Sequence, residues 1–196
     1  MQTFFTSDQH FSHARINELA GRPFSSVEEM NETIIERWNE RITDGDLVFV
    51  LGDVVMGTFV ESIKLIERLN GVKLLIPGNH DRVHPTYQIS DKKRVEAYEL
   101  YRSVGFRILP LTTFYTTGTG IPFMLSHFPY EGDSHDQDRH VEYRPERNPD
   151  IEWLVHGHVH EKWKINGKQI NVGVDVWDFY PVSYDEIQNL IKANSK

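Results

Sequence analysis

The feature that most constrains the fold is a set of short runs typical of β-strands, separated by helical segments in the first half of the chain. The runs cover residues 4–7, 47–51 and 72–76. The middle run is apolar at every position, which is typical of a strand covered on both faces. Apolar residues at helical spacing fill 27–42 and 59–69 between these runs. This alternation predicts a βαβαβ unit with a parallel sheet and right-handed connections.

Capping-box sequences mark where three helices should begin. Ser25 and Ser26 precede Glu28 and Glu29 at the required spacing, Thr58 precedes Glu61, and Ser183 precedes Glu186. In a capping box the serine or threonine side chain accepts from a free backbone N–H of the first turn. The sequence therefore predicts helices that start near residues 27, 59 and 184.

The second half of the chain alternates differently and favours a second sheet. A helix is predicted over 91–104, and short strands over 106–109, 111–116, 122–125, 151–156, 163–165 and 169–174. Asn166-Gly167 is typical of a hairpin turn. Without a repeat or a linker between the halves, we expect one α/β domain over residues 1–196, with two sheets packed face to face.

Composition excludes several classes of protein. The chain has 196 residues, a formal net charge of −8 and no cysteine. The lack of cysteine removes disulfide scaffolds, thiolate metal sites and cysteine nucleophiles. The negative charge argues against stable binding of long nucleic acid. We see no signal peptide and no run of roughly 20 apolar residues, so we expect a cytoplasmic protein without a membrane partner. The sequence leaves the oligomeric state open.

Five polar clusters follow predicted strands directly. They are Asp8-Gln9-His10, Gly52-Asp53, Gly78-Asn79-His80-Asp81, Ser126-His127 and Gly157-His158-Val159-His160. Ligands bind at the carboxyl ends of strands in α/β sheets, because side chains from separate strands converge there. We expect Asp8 and His10 to point to one side of an extended strand end, and His158 and His160 to do the same. Glycines before the ligands would allow tight turns.

These clusters supply nitrogen and oxygen donors for metal ions. The candidate ligands are Asp8, His10, Asp53, Asn79, His127, His158 and His160. Such a set suits manganese, iron, zinc, nickel or cobalt. Seven ligands are too many for one tetrahedral ion, whereas one shared carboxylate would serve two ions. We therefore expect two divalent transition-metal ions, with manganese favoured.

The ordered clusters resemble the motifs of the calcineurin-like metallophosphoesterases, from residue 8 to residue 160. The resemblance implies an αββα sandwich, in which two mixed β-sheets pack face to face between helices. It assigns Asp8, His10 and His160 to one metal, Asn79, His127 and His158 to the other, and Asp53 to both. His80 corresponds to the catalytic histidine of the family, and Asp81 would orient it.

One departure from the family pattern narrows the expected substrate. The Ser/Thr phosphatases of this superfamily follow the second motif with an Asp-Arg pair, whereas this chain has Val54-Val55 after Asp53. The chain is closer to the compact single-domain phosphoesterases of bacteria and phages. We expect hydrolysis of small phosphate esters, mainly phosphodiesters including cyclic nucleotides, with attack by a metal-bridging hydroxide and assistance from His80 at the leaving oxygen.

Alternative functions remain open at this point. A phosphomonoesterase or a nuclease would use the same site. A metal-dependent amidohydrolase or deacetylase also uses histidine and aspartate, but an early Asp-x-His and an asparagine ligand do not favour it. A metal-binding module without activity would not need His80.

The polar segment 129–149 lacks periodicity and is typical of a functional loop or a disordered excursion. Arg139, Arg144 and Arg147 could clamp a phosphate, although a solvated loop is the simpler interpretation. We expect His156 to lie outside the metal set, in a supporting role at most. Trp177 either stacks on a base or packs in the core.

Overall fold

The computed structural model describes residues 1–195, and its strands form two five-stranded sheets. The strands of the first sheet are β1 (Thr3–Thr6), β2 (Leu47–Val50), β3 (Val72–Leu75), β4 (Phe106–Ile108) and β10 (Val182–Ser183). Their order is β10-β1-β2-β3-β4, and β10 is antiparallel to β1 while the other pairs are parallel. The predicted parallel βαβαβ unit is thus confirmed and extended at both edges.

The second sheet is also mixed. Its strands are β5 (Thr112–Tyr115), β6 (Phe123–Ser126), β7 (Trp153–His156), β8 (Ile165–Asn166) and β9 (Gln169–Asn171). They lie in the order β5-β6-β7-β9-β8. The β6-β7 and β7-β9 pairs are parallel, and the two outer pairs are antiparallel.

The helices are α1 (Ile16–Leu19), α2 (Val27–Arg41), α3 (Phe59–Ser62), α4 (Asp91–Ser103) and α5 (Tyr184–Ala193). None of the helices within residues 1–195 is long and apolar enough to span a bilayer. Ser26 accepts from the Glu29 amide at the start of α2, and Ser183 and Glu186 form a complete capping box at α5. Two of the three predicted caps are therefore confirmed.

The predicted helix over 59–69 is wrong in its type. Thr58 makes no side-chain cap, and α3 ends after one turn and continues as a 3-10 helix, Ile63–Arg68. A 3-10 helix has three residues per turn, so residues three apart share one face. Ile63, Ile66 and Leu69 have that spacing and are all buried. Their burial explains why the tighter helix forms here.

Two apolar clusters hold the layers together. Side chains alternate along a strand, so Phe4 of β1 belongs to the cluster that contains the buried residues of α2 and α4, whereas Phe5 belongs to the cluster between the sheets. The Phe5 ring stacks on Phe49 of β2 and meets Phe123 of β6 edge to face, both with centroids 5.4 Å apart. The predicted architecture, two mixed β-sheets packed face to face and flanked by helices, is confirmed.

Candidate metal centre

The seven predicted ligands lie on loops that directly follow five strands. The loops after β1, β2 and β3 bring Asp8, His10, Asp53 and Asn79 from the first sheet, and those after β6 and β7 bring His127, His158 and His160 from the second. Except for His160, all of these residues are buried. The loops of the two sheets therefore converge in one polar cluster.

One end of this cluster contains Asp8, His10 and His160. The Nε2 atoms of His10 and His160 are 3.3 Å apart, and His160 Nε2 is 3.9 Å from Asp8 Oδ1. Asp8 Oδ1 is buried and has no hydrogen-bond partner in the described structure. A buried carboxylate oxygen without a donor is costly, and a cation would satisfy it. The three side chains fit a metal ion on this ground.

The other end of the cluster contains Asn79 and His127. His127 Nδ1 lies 2.7 Å from the Leu51 carbonyl and so carries its proton there, which leaves Nε2 free for a metal. That Nε2 is 3.1 Å from Asn79 Oδ1 and 3.5 Å from Asp53 Oδ2. The same Asp53 oxygen is 3.7 Å from His10 Nε2. Asp53 therefore lies between the two ends, where a bridging carboxylate belongs.

Burial is the largest influence on the pKa values of His10, His158, His160 and Asp8. Burial lowers the pKa of both His158 and His160 to about 4, and it lowers that of His10 well below the usual value. The three rings are therefore neutral at pH 7, the form that binds metals. Burial raises the pKa of Asp8 to about 7, with Asp53 adding to the rise. A cation at this position would favour the charged carboxylate.

The backbone at the ligands is left-handed rather than extended. Positive φ angles occur at Asp8 (61°), His10 (50°), Asp53 (56°), His158 (71°) and His160 (48°). Each such non-glycine residue costs of order 1–3 kcal/mol and persists only where its surroundings enforce it. The prediction that two extended strand ends present paired ligands is thus wrong, because the strands end before the ligands and tight turns aim the side chains.

Three glycines permit these turns to approach each other. Gly52 has a φ of 86°, and a Cβ on it would collide with the backbone of Gly78. A Cβ on Gly157 would collide with Ser7 and the Asp8 carboxylate. A Cβ on Gly78 would likewise collide with Asp53, so the prediction that glycines before Asp53, Asn79 and His158 allow a close approach is confirmed at all three.

His80 lies at the mouth of the cluster. Its backbone N–H donates to Asp53 Oδ1 (2.8 Å), and its ring Nε2 is 4.0 Å from Asp53 Oδ2. The side chain is 39% exposed, so substrate can reach it. It lines a cavity of about 320 Å³ together with His10, Asp53 and Asn79. Ile16 and Leu19 of α1 and Arg139 of the long loop also line that cavity.

Comparison with known proteins decides the family. The family model for calcineurin-like phosphoesterases matches residues 1–162. The chain is a calcineurin-like phosphoesterase. It is accordingly a metal-dependent phosphoric ester hydrolase of a dinuclear family.

Relatives of this phosphoesterase occur in phages and archaea. The Gene 66 protein of Mycobacterium phage L5 is 36% identical over 200 residues, which span 96% of this chain and 93% of the phage protein. An uncharacterized protein of Methanocaldococcus jannaschii is 34% identical over 198 residues, 96% of this chain and 90% of its own. A protein of unknown function from Aquifex aeolicus shares the fold, with a TM-score of 0.69 at 23% identity over 97% of this chain and 99% of that one.

The predicted contact between Asp81 and the ring of His80 is not present within residues 1–195. The Asp81 carboxylate is buried and accepts from the amides of Gly78 (2.8 Å) and Asp53 (2.9 Å) and from the Tyr101 hydroxyl (2.9 Å). These donors occupy the Asp81 carboxylate in place of the His80 ring, because each of them would otherwise be a buried, unpaired group. In this phosphoesterase Asp81 joins the loops after β2 and β3 and so fixes Asp53.

Of the other residues considered in the sequence, some lie in the core, some pair within the long loop and one lines the cavity. His156 is buried, its Nδ1 is 2.6 Å from the Gly157 carbonyl, and its ring packs on Trp163. Trp177 donates to the Asn171 carbonyl and packs against the inter-sheet cluster, as core packing predicts. Arg144 and Arg147 pair within the loop, with Asp138 and Glu131. Of the three loop arginines, only Arg139 lines the cavity.

Two supporting residues of the phosphoesterase site were missed by sequence reasoning. Arg22 donates to the Asp8 and Gln9 carbonyls and pairs with Asp175. Asp133 contacts the ring of His158. Arg22 and Asp175 are 153 positions apart, and Asp133 stands in a loop without periodicity. No local pattern links any of them to the ligands.

Proposed function

We propose that this phosphoesterase hydrolyses small phosphodiesters, cyclic nucleotides included. The observation that carries the proposal is that His80 lines two cavities. The larger is the cavity at the metal centre, and the smaller, about 50 Å³, is also lined by Phe59, Arg82 and Tyr87. A phosphodiester has two ester arms, and the site offers a second space next to His80.

The proposed ligand sets are those that the family motifs imply. Asp8, His10 and His160 would hold one ion, Asn79, His127 and His158 would hold the other, and Asp53 would serve both. When bound, the ions would supply positive charge for the phosphate oxygens and lower the pKa of water enough for it to act as a nucleophile at neutral pH. Nitrogen and oxygen donors without sulfur suit manganese, iron, zinc, nickel or cobalt, and of these we propose manganese as the native metal.

His80 has the geometry of a general acid. Its ring is exposed to the cavity and is not needed as a ligand. The hydrogen bond from its backbone N–H to Asp53 fixes the position of the His80 backbone. A proton on Nε2 can pass to the departing oxygen as the ester bond breaks.

The size of the cavity and the net charge of the chain support a small substrate. A cavity of about 320 Å³ is at the lower end of the range for small-molecule sites. In this cavity the apolar side chains of Ile16 and Leu19 can contact a base or another flat group, and Arg139 can pair with a phosphate oxygen. The net charge of −8 disfavours a long polyanion.

The test is a substrate panel on protein stripped of metal and reloaded with Mn²⁺, Fe²⁺, Zn²⁺, Ni²⁺ or Co²⁺ singly. The panel pairs bis(p-nitrophenyl) phosphate with p-nitrophenyl phosphate, and adds 2′,3′- and 3′,5′-cyclic nucleotides and a single-stranded oligonucleotide. We expect two ions per chain and the highest kcat/KM on small diesters with Mn²⁺. A higher kcat/KM on the monoester, or on the oligonucleotide, would replace the proposal with a phosphomonoesterase or a nuclease.

A further inference from the structure

The long loop after β6 reaches into the metal centre through one side chain. Asp133 belongs to the polar segment 129–149, yet its carboxylate is fully buried. Oδ2 lies 3.0 Å from His158 Nε2, and both side chains are closed to solvent. A loop that only covered the surface would not bury a carboxylate against a candidate ligand.

The contact determines which nitrogen of His158 faces the centre. The His158 backbone N–H donates to Asp8 Oδ2 (3.0 Å), which fixes where the side chain starts. Since Nε2 is engaged by Asp133, only Nδ1 is left for a metal. A ligating histidine commonly donates its other N–H to a carboxylate, which sets its tautomer and raises its basicity.

The same carboxylate holds a guanidinium at the cavity. Asp133 Oδ1 accepts from Arg139 Nε (3.1 Å) and Nη2 (2.8 Å), and Oδ2 accepts from the Arg139 backbone N–H (2.9 Å). Although burial alone would raise the pKa of Asp133, the hydrogen bonds from His158 and Arg139 lower it well below the usual range. The carboxylate is therefore charged at neutral pH while it joins a candidate ligand to the cavity wall.

We propose that Asp133 is a positioning residue that holds His158 with Nδ1 toward the metal centre and Arg139 at the cavity wall. The inference rests on the proposed function only in taking His158 as a metal ligand. It gives the loop a defined role, because one side chain determines both the second metal position and the cationic wall that faces substrate.

The first test measures Mn²⁺ binding to the chelator-stripped full chain by titration calorimetry. We expect Asp133→Ala to weaken one of the two sites by about 10–100-fold and to leave the other unchanged. The matched control is Asp138→Asn, in the same loop, where Asp138 is half exposed and pairs with Arg144 rather than with the centre. Arg139→Gln should raise KM for bis(p-nitrophenyl) phosphate and keep both wild-type metal affinities.

The second test needs no substitution and reads the His158 ring directly. In ¹⁵N spectra of the Zn²⁺-loaded wild type, we expect a protonated Nε2 and a metal-bound Nδ1. A protonated Nδ1 would overturn the proposal, and so would two wild-type Mn²⁺ affinities in a folded Asp133→Ala chain. If Asp133→Ala does not fold, Asp133→Asn replaces it and the spectrum still decides. A wild type that binds fewer than two ions would instead contradict the proposed function.

Discussion

Arg22 shows how one distant side chain fixes a candidate ligand. Its guanidinium donates to the Asp8 carbonyl (2.7 Å) and the Gln9 carbonyl (2.9 Å), and Nε lies 2.7 Å from Asp175 Oδ1. Both charged side chains are at most 2% exposed. This buried pair therefore holds the turn that carries Asp8.

We expect Arg22→Met to lower the free energy of unfolding by about 3–5 kcal/mol, because Asp175 would become a buried, unpaired charge. The control is Arg68→Met, which breaks a pair with Glu32 whose side chains are 46% and 61% exposed. That change should cost about 0–1 kcal/mol. Urea unfolding of the metal-free proteins measures both values, and equal losses would contradict the role of Arg22.

His80→Ala should keep both metal ions and lose turnover in a way that depends on the leaving group. General acid catalysis typically contributes about 10²–10⁴-fold. An alkyl phosphodiester needs a proton on the departing oxygen, whereas p-nitrophenolate leaves without one. We expect the alkyl ester to slow much more than the nitrophenyl ester, with metal content measured on the same samples.

Equal slowing of both esters would mean that His80 only binds the phosphate by charge. A lost ion would mean that the residue is a ligand.

At the residue scale, the sequence predicted the candidate metal ligands but not the residues that position these ligands. The candidate ligands stand in short motifs directly after strands, which is a local signal. Asp81 was found by the same signal, yet its partners are backbone amides and Tyr101, so its predicted contact was wrong. Burial decides such contacts, and no spacing along the chain encodes it.

At the scale of elements, two similar cap sequences give different structures. Ser183 accepts from the Glu186 amide, and Glu186 accepts in return from Ser183. Thr58 has Glu61 at the same spacing but makes no side-chain cap. The spacing is thus necessary for a capping box and is not sufficient.

We expect Ser183→Ala to lower the free energy of unfolding by about 1 kcal/mol and Thr58→Ala to change it by much less, since only the first removes a cap. Chemical denaturation of the two variants and the wild type measures the difference. A loss at Thr58 as large as that at Ser183 would show that the Thr58 hydroxyl caps the helix in solution.

The predictability of the elements followed their length and periodicity. β2 is fully apolar, and α2 and α5 have clear caps and long buried stripes, so all three were predicted. β10 has two residues and α1 four, too few for any period. The position of β9 between β7 and β8 depends on pairing between distant segments, which the sequence pattern does not show.

At the scale of the whole molecule, Asp46 links the chain terminus to the sheet. Its carboxylate accepts from the Gln2 amide (2.6 Å) and from both the amide and the hydroxyl of Thr43 (2.9 and 2.7 Å). The Gln2 hydrogen bond first, and then those from Thr43, lower the pKa of Asp46 to about 2. The unfolded chain binds this proton more readily, so the stabilisation is complete above about pH 5 and is lost as the pH falls toward 2.

We therefore expect wild type and Asp46→Asn to differ in stability at pH 6 and to converge as the pH approaches 2. Denaturant midpoints of the chelated proteins across that range measure the difference. Asp44→Asn is the control, because Asp44 is an exposed neighbour and should follow the wild type throughout. A constant gap between wild type and Asp46→Asn would assign the effect to packing.

The convergence of loops from both sheets has a mechanical consequence. Each proposed ion would take ligands from loops of both sheets, so a bound ion would cross-link the two sheets. Pulling the sheets apart requires release of the metal, and unfolding becomes linked to metal concentration. At 100 times the dissociation constant, one site adds about 2.7 kcal/mol to the free energy of unfolding. The resistance of the fold to heat is then set partly by the metal supply around it.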